Sequence, residues 1–402
     1  RGSVGKTGSQ NLGAYDWRTL MGSATYNGAA GIVPSSLGND ILQWEEQIQK
    51  EVGLDYGFWD DRIRGTLGYY QKKVDNLLYS DPVPTSSSFS SVYQNIGSLK
   101  NRGIEFDVRV DIIKNVQKDL TWNVDFNIAR NRTTLEKLNS SDGYFGGGAY
   151  DYFKIEEGGE TGRFYGYKDA GRLFMTNEEL VGLKTIDPKT GTLKYYRDDY
   201  NYERQGDVYI MDLDGDGQIT ADGDRTVIGN ANPDFFGGFG STLYWKGLML
   251  NAVFSYSVGG DRFWDEEKNS SGDMNVYNTS NRILDSWTVN PGVNASYPRA
   301  MYYGWGSNSI ITDRYIHDAS YLRMTALNLS YRLPKHLYKN SILNAVEFTF
   351  QATNLFTWTK YPGMDPQGNF STTYSAFYNM GIDYSTYPSA RTYNFGIKLT
   401  LK

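Results

Sequence analysis

The chain has no cysteine, so neither a disulfide framework nor a thiolate metal site can brace it. Histidine is nearly as scarce: His317 and His336 are the only two, and they form no His-Glu-x-x-His arrangement. Proline is low, with 11 in 402 residues. No window approaches about 18 consecutive apolar residues, which excludes a transmembrane helix. A membrane barrel stays open, because strand alternation dilutes hydropathy roughly by half. There is no excess of basic charge either: the net charge is -6 with both signs interspersed, which argues against a nucleic-acid partner. Arg1 opens the chain with neither Met nor a signal peptide, the expectation for a mature or shortened product.

What is present is glycine, tyrosine and strict alternation. Gly 44 and Tyr 33 are high, and mean hydropathy is -0.55. From Ile104 the residues Ile104, Phe106, Val108, Val110 and Ile112 share one face, with Glu105, Asp107, Arg109 and Asp111 on the other. Successive strand side chains point to opposite faces, so each such run has one apolar and one wet side. The pattern recurs at Leu120 to Ile128, Leu248 to Val258, Val346 to Ala352 and Tyr393 to Leu401. Strands in soluble proteins average about five to six residues, whereas a tilted membrane strand needs about 9 to 11, and these runs fit the longer class.

Nine strands can be placed, at about 45–58, 63–79, 97–112, 119–133, 235–245, 248–260, 319–333, 344–358 and 391–402. Their connections alternate short and long, the long ones lying at about 80–96, 134–234, 261–318 and 359–390. An up-and-down meander through a membrane has tight periplasmic turns and long outer loops, whereas a Greek-key sandwich has no reason to keep that rhythm. With the last strand ending in the periplasm, every long loop is extracellular, and residues 1–44 form a further outer loop segment. Trp44, Trp59, Tyr79, Trp245, Trp358 and Tyr361 sit near strand ends, where membrane girdles are expected. An odd count cannot close a normal single-chain bacterial barrel, so residues 45–402 read as part of a larger wall.

Several segments carry a family resemblance, in order along the chain. LQWEEQIQKEVGLDYGF (Leu42 to Phe58), NIGSLKNRGIEF (Asn95 to Phe106), the Asp-rich stretch Ile210 to Phe235, ASYLRMTALNLSYRLP (Ala319 to Pro334) and QATNLFTWTKYPGMDP (Gln351 to Pro366) resemble the SusC-like (RagA-like) TonB-dependent outer-membrane transporters of Bacteroidota. The resemblance implies an all-β fold, the C-terminal strands of a 22-stranded antiparallel transmembrane barrel. It further implies an N-terminal plug, energy from TonB, and a SusD-like surface lipoprotein as lid. Neither plug nor TonB box is recognisable in this chain, so the plug and about thirteen further strands are expected to precede Arg1 or to belong to a separate chain.

Two motifs could carry chemistry. Asp212, Asp214 and Asp216, then Gly217 and the carbonyl of Gln218, fit positions 1, 3, 5, 6 and 7 of an EF-hand-type calcium loop. Position 12 departs, being Gly223 flanked by Asp222 and Asp224 in place of the usual Glu. The alternative is an Asp/Gly-rich turn closed by its own hydrogen bonds. The long loops also carry Tyr144, Phe145, Tyr150, Tyr152, Phe164, Tyr165, Tyr167, Trp264, Tyr302, Tyr303 and Trp305. Exposed rings stack on sugars and pack against partner proteins, and Tyr302, Tyr303 and Trp305 are the substrate-contact candidates. Glu105, Asp107 and Asp111 read as lumen-facing charges, not a catalytic pair.

The functional expectation is a non-enzymatic segment of a nutrient importer in the outer membrane. Oligosaccharide or peptide would be captured between outer loops and the lipoprotein lid, and TonB would then displace the plug. Its partners are the rest of the barrel and plug, TonB, the SusD-like lipoprotein and outer-membrane lipid. A soluble, calcium-stabilised carbohydrate-binding or adhesin module is the alternative, and a passive porin-like barrel the third.

Overall fold

The alternating runs assemble into one ten-stranded antiparallel sheet in a computed structural model of the chain. The structure describes residues 1–9, 13–87, 89, 91–115, 117–139, 144–147, 152–174, 176–182, 185–186, 193–194, 203–272, 279–289, 291–292, 295–300, 308–339, 342–368, 380–384 and 386–401. The wall strands are β1 (Gly2–Ser9), β2 (Glu45–Phe58), β3 (Ile63–Asp75), β4 (Gly97–Asn115), β5 (Leu120–Leu138), β6 (Phe235–Trp245), β7 (Leu248–Val258), β8 (Tyr321–Arg332), β9 (Leu343–Thr359) and β10 (Thr392–Leu401). Each pairs with its neighbour in sequence, so the wall is a simple meander with β1 and β10 as its edges. The sheet is an open arc.

Register carries the apolar faces of successive strands into line. Leu54 pairs with Leu67, Leu67 with Phe106 and Phe106 with Ile128; farther along, Phe239 pairs with Phe254, and Leu329 with Phe350. The polar face is cross-linked in its own way: Asn328 donates to Asn251 at 3.0 Å and Asn251 to Thr242 at 2.9 Å, a ladder across β6 to β8. The apolar face stays open: Leu54 is 62% exposed and Phe395 81%. Among the described residues no second sheet of the wall's extent packs against it, so the soluble sandwich core weighed from sequence is not formed.

Glycine lets aromatic rings cross the wall at two related places. Tyr56 of β2 pairs with Gly65 of β3 and donates its hydroxyl to the Asp107 carbonyl of β4 at 3.0 Å. Its ring stacks on Phe106 with centroids 6.3 Å apart. Tyr256 of β7 repeats the arrangement over Gly237 of β6, bonding the Asn127 carbonyl of β5 at 2.8 Å and stacking on Phe126 at 6.1 Å. A side chain at either glycine would occupy the ring's place.

The tenth strand corrects the expectation that residues 1–44 are loop throughout. Gly2–Ser9 is held by backbone pairing to residues 45–52, with Lys6 bridging Glu46 at 2.8 Å. Its sequence, GSVGKTGS, has a single large apolar residue, Val4, so no alternation marks it. The wall formed by the described residues therefore has ten strands in place of the nine expected. Residues 78 and 79, expected at the top of the second placed strand, leave the wall: Leu78–Pro82 pairs with Ser91–Asn95.

Connections alternate as the sequence indicates. The tight end includes Lys246 and Gly247, both in the left-handed region at φ 48° and 85°, the geometry of a two-residue hairpin whose twist matches its strands. At the other end the long connections, now including the one after β1, fold into a cap of small sheets. Of the aromatics assigned to a girdle, Trp44, Trp59, Trp245 and Trp358 are exposed. Tyr79 and Tyr361 are not girdle residues: Tyr79 packs on Ile96 and Leu135, and Tyr361 is buried beside Trp264.

Candidate functional site

The cap is organised by a three-stranded sheet in which Asp261–Trp264 lies between Ile316–Asp318 and Ile382–Asp383. Its strands come from both long connections that flank β8 and β9, so neither loop builds it alone. Alternation along Asp261–Trp264 sends Phe263 into a core of Tyr152, Phe153, Phe164, Tyr315 and Ile382. Phe263 and Tyr152 rings lie 4.6 Å apart, and Phe153 and Phe164 5.1 Å. Gly381 sits at φ 82°, where a Cβ would press on Ala231 and Phe164, so this crossing of chains needs glycine.

Arg262 and Trp264 occupy the opposite face of that strand. Trp264, His317 and Tyr361 form a ring trio with centroids 5.9 to 6.3 Å apart. Arg282 lies over Trp264 at 4.5 Å and pairs with Glu267 at 2.9 Å. Glu267 is a buried hub, also bonded to His317 Nε2 at 2.5 Å and to the Tyr297 hydroxyl at 3.3 Å. Tyr361 donates to the buried Asp383 at 2.8 Å; burial and that bond push its hydroxyl well above the usual tyrosine range, so it stays protonated. These carboxylates are engaged by neighbours, which fixes the geometry of the cluster.

A second core, of Leu173, Phe174, Val208, Ile210 and Ile219, supports the Asp-rich loop. Beneath it Asp207 pairs with Arg299 at 2.7 Å and accepts from Asn308 at 2.7 Å; burial raises its carboxyl despite the arginine. In the loop itself Asp212, Asp214 and Asp216 converge, offering one oxygen each within 4.8 Å of one another. Each also accepts backbone N–H groups, such as Gly217 N to Asp212 Oδ2 at 2.8 Å and Gln218 N to Asp216 Oδ1 at 2.8 Å. Asp224 stands apart from that group: fully buried, it binds Leu213 N and Thr220 N at 2.7 Å each and clamps the loop shut. Asp222 is exposed on the short turn Ala221–Asp224 and does not join the convergent three. Gly223, at the twelfth position, leaves room for the Asp214 carboxylate beside its α-carbon.

Tyr302, Tyr303 and Trp305 lie outside the described residues, as does Tyr150. Among the other loop aromatics Tyr152, Phe164 and Trp264 are buried, so they build the cap. Sequence reading missed the cluster of Arg262, Arg282, His317, Tyr361 and Asp383. No local signal could have found it, because it draws on positions more than a hundred residues apart and is joined only by loop pairing.

Comparison with known proteins locates the whole. Residues 1–355 match the family model for the TonB dependent receptor-like β-barrel. TonB-dependent receptor P3 of Formosa agariphila is 32% identical over 99% of the chain and 39% of its own length. TonB-dependent receptor SusC of Bacteroides thetaiotaomicron is 29% identical over 90% of the chain and 32% of its own length. Among solved structures, that of the RagAB peptide transporter superposes with a TM-score of 0.73 at 28% identity, covering 99% of the chain and 40% of that chain. The chain thus spans about two fifths of the relatives' length.

Proposed function

The chain belongs to the TonB-dependent receptor-like β-barrel family of the outer membrane, and on that premise we propose that it forms the C-terminal arc of an active nutrient importer. The observation that carries this reading is the cap: the long connections lie at one end of the wall's strands, and two of them contribute strands to one small sheet. Arg323, on the polar face of β8, holds the last of these connections through Asp365 at 2.6 Å and Gln367. A cap tied to the polar side suits capture of a ligand more than free passage. In this reading the apolar face meets lipid, the row Glu105, Asp107, Arg109, Asp111 faces the lumen, and the remainder of the barrel encloses a plug.

Oligosaccharide or peptide is the proposed cargo, taken up between these loops and a SusD-like lipoprotein and released inward by TonB. The similarity to the RagAB peptide transporter supports the peptide arm. Tyr302, Tyr303 and Trp305 are kept as proposed contacts on the strength of their aromatic, Gly-punctuated sequence. Uptake of labelled oligosaccharides and oligopeptides by cells expressing the full-length protein, with and without TonB, tests the reading. Accumulation that stops on TonB depletion is expected, and uptake indifferent to TonB would leave a passive channel.

The convergence of Asp212, Asp214 and Asp216 supports a calcium-binding role for the Asp-rich loop, with the Gln218 carbonyl as a further oxygen ligand. Bound there, the ion would neutralise three clustered carboxylates and stiffen the loop. Calorimetry at millimolar calcium on the full-length protein should show heat that Asp214→Ala abolishes; equal heats in the two would end the assignment.

A further inference from the structure

Among the described residues, several guanidinium groups of the cap are paired with carboxylates, and Arg262 is not. Arg282, Arg299, Arg314 and Arg323 face Glu267, Asp207, Asp169 and Asp365 at 2.6 to 2.9 Å. Arg262 has only backbone carbonyls, Asp261 O at 3.1 Å and Ala231 O at 3.4 Å from Nη1. Its Nε is buried without an acceptor. Among the described residues no carboxylate lies within ion-pair distance of it. The two carboxylates nearest in its field are already engaged: Asp383 by the Tyr361 hydroxyl and Thr386 N, and Asp261 by Asn230 N at 2.8 Å.

A half-buried cation with backbone carbonyls but no counter-charge is destabilising, and such strain collects where a ligand later relieves it. The setting favours an anion. Trp264, two residues on and on the same strand face, is buried, as is Tyr361, so the guanidinium has a poorly hydrated backing. Arg262 itself is half-buried. With Nη1 given to the two carbonyls and Nε buried, Nη2 is the donor that remains for a carboxylate.

We propose that Arg262 binds a carboxylate of the imported ligand, either the C-terminus of a peptide or a uronate on an oligosaccharide. This rests on the importer reading and narrows its cargo to anionic ligands. The test uses the full-length transporter in detergent and two pairs of probes: pentaalanine against its C-terminal amide, and tetragalacturonate against its methyl ester, each titrated by calorimetry. In one pair the acid should bind about tenfold more tightly than its neutral twin. Arg262→Gln should erase that difference while leaving the neutral twin's affinity unchanged, and the pair that responds identifies the source. Arg262→Lys, which keeps the charge but moves the donor and loses the carbonyl bonds that orient it, should retain only part of the preference and serves if the Gln variant does not fold. The proposal is overturned if neither pair shows a charge preference, including no binding of any probe, or if the preference survives Arg262→Gln. TonB-dependent uptake of neutral nutrients that persists without charge preference would sink the Arg262 role alone, whereas absence of any TonB-dependent uptake by the wild-type protein would sink the importer reading.

Discussion

Arg323 and Asp365 form an ion pair at 2.6 Å with both side chains more than nine-tenths buried, joining the wall strand β8 to the connection that precedes β10. The wall and its last outer loop are thereby one unit. Such a pair contributes little relative to an apolar replacement of both partners, but leaving either partner alone is costly.

Arg323→Met and Asp365→Leu singly should each cost about 3 kcal/mol, while the double replacement should recover most of that loss. A double-mutant cycle on thermal unfolding of the full-length protein checks this. Additive losses would mean that the two side chains do not act together.

Acid should release the same anchor. Burial pushes the Asp365 carboxyl up, but hydrogen bonds from Arg323, Gln367 N and Ser389 N outweigh it, and the net displacement is below the ordinary value of 3.8. The unfolded chain therefore takes up the proton first, so the contribution is complete above pH 3.8 and fades as pH falls through the lower folded value. Stability of Asp365→Asn and wild type should differ at pH 6 and converge below pH 3.8. A constant difference across that range would count against the pair.

Where Tyr256 crosses Gly237 to the Asn127 carbonyl, the hydroxyl and the glycine have separable roles. Tyr256→Phe should cost about 1 kcal/mol, the worth of one hydrogen bond. Gly237→Val should cost more, because it displaces the ring and presses on the Asn127 carbonyl. Unfolding of both variants in detergent, read by heat-modified electrophoretic mobility, gives the order; equal effects would refute it.

Asp224 is expected to hold the Asp-rich loop in the absence of any ion. Asp224→Asn replaces one of its two acceptor oxygens, leaving either Leu213 N or Thr220 N unpaired, at a cost of about 2 kcal/mol. Hydrogen exchange at those two amides should quicken in the variant by about tenfold or more. Unchanged protection would show that the clamp is not what closes the loop.

Much of the molecule was legible because a wall strand states its two environments in its own order. Ile104 to Ile112 and Leu248 to Val258 alternate strictly, and the short and long spacings between such runs fixed a meander without reference to any other part of the chain. Gly2–Ser9 escaped for the converse reason: backbone pairing with residues 45–52 makes it a strand, and backbone pairing has no signature in side chains. The Asp212 to Asp216 spacing declared its convergence locally, yet the role of Asp224 as clamp depends on a fold-back that spacing does not encode.

The sequence by itself determined the two-faced strands, their order and the end of the wall at which the loops gather, since each follows from local periodicity and chain length between turns. Only the tertiary structure decided which loop residues meet. Arg262, His317, Tyr361 and Asp383 become neighbours because strands from two separate connections share one small sheet. Arg282 meets Glu267, from the short helix that follows Trp264, whereas Arg262 meets backbone carbonyls. A carboxylate reaches one and not the other, and residue type alone carries no trace of that difference.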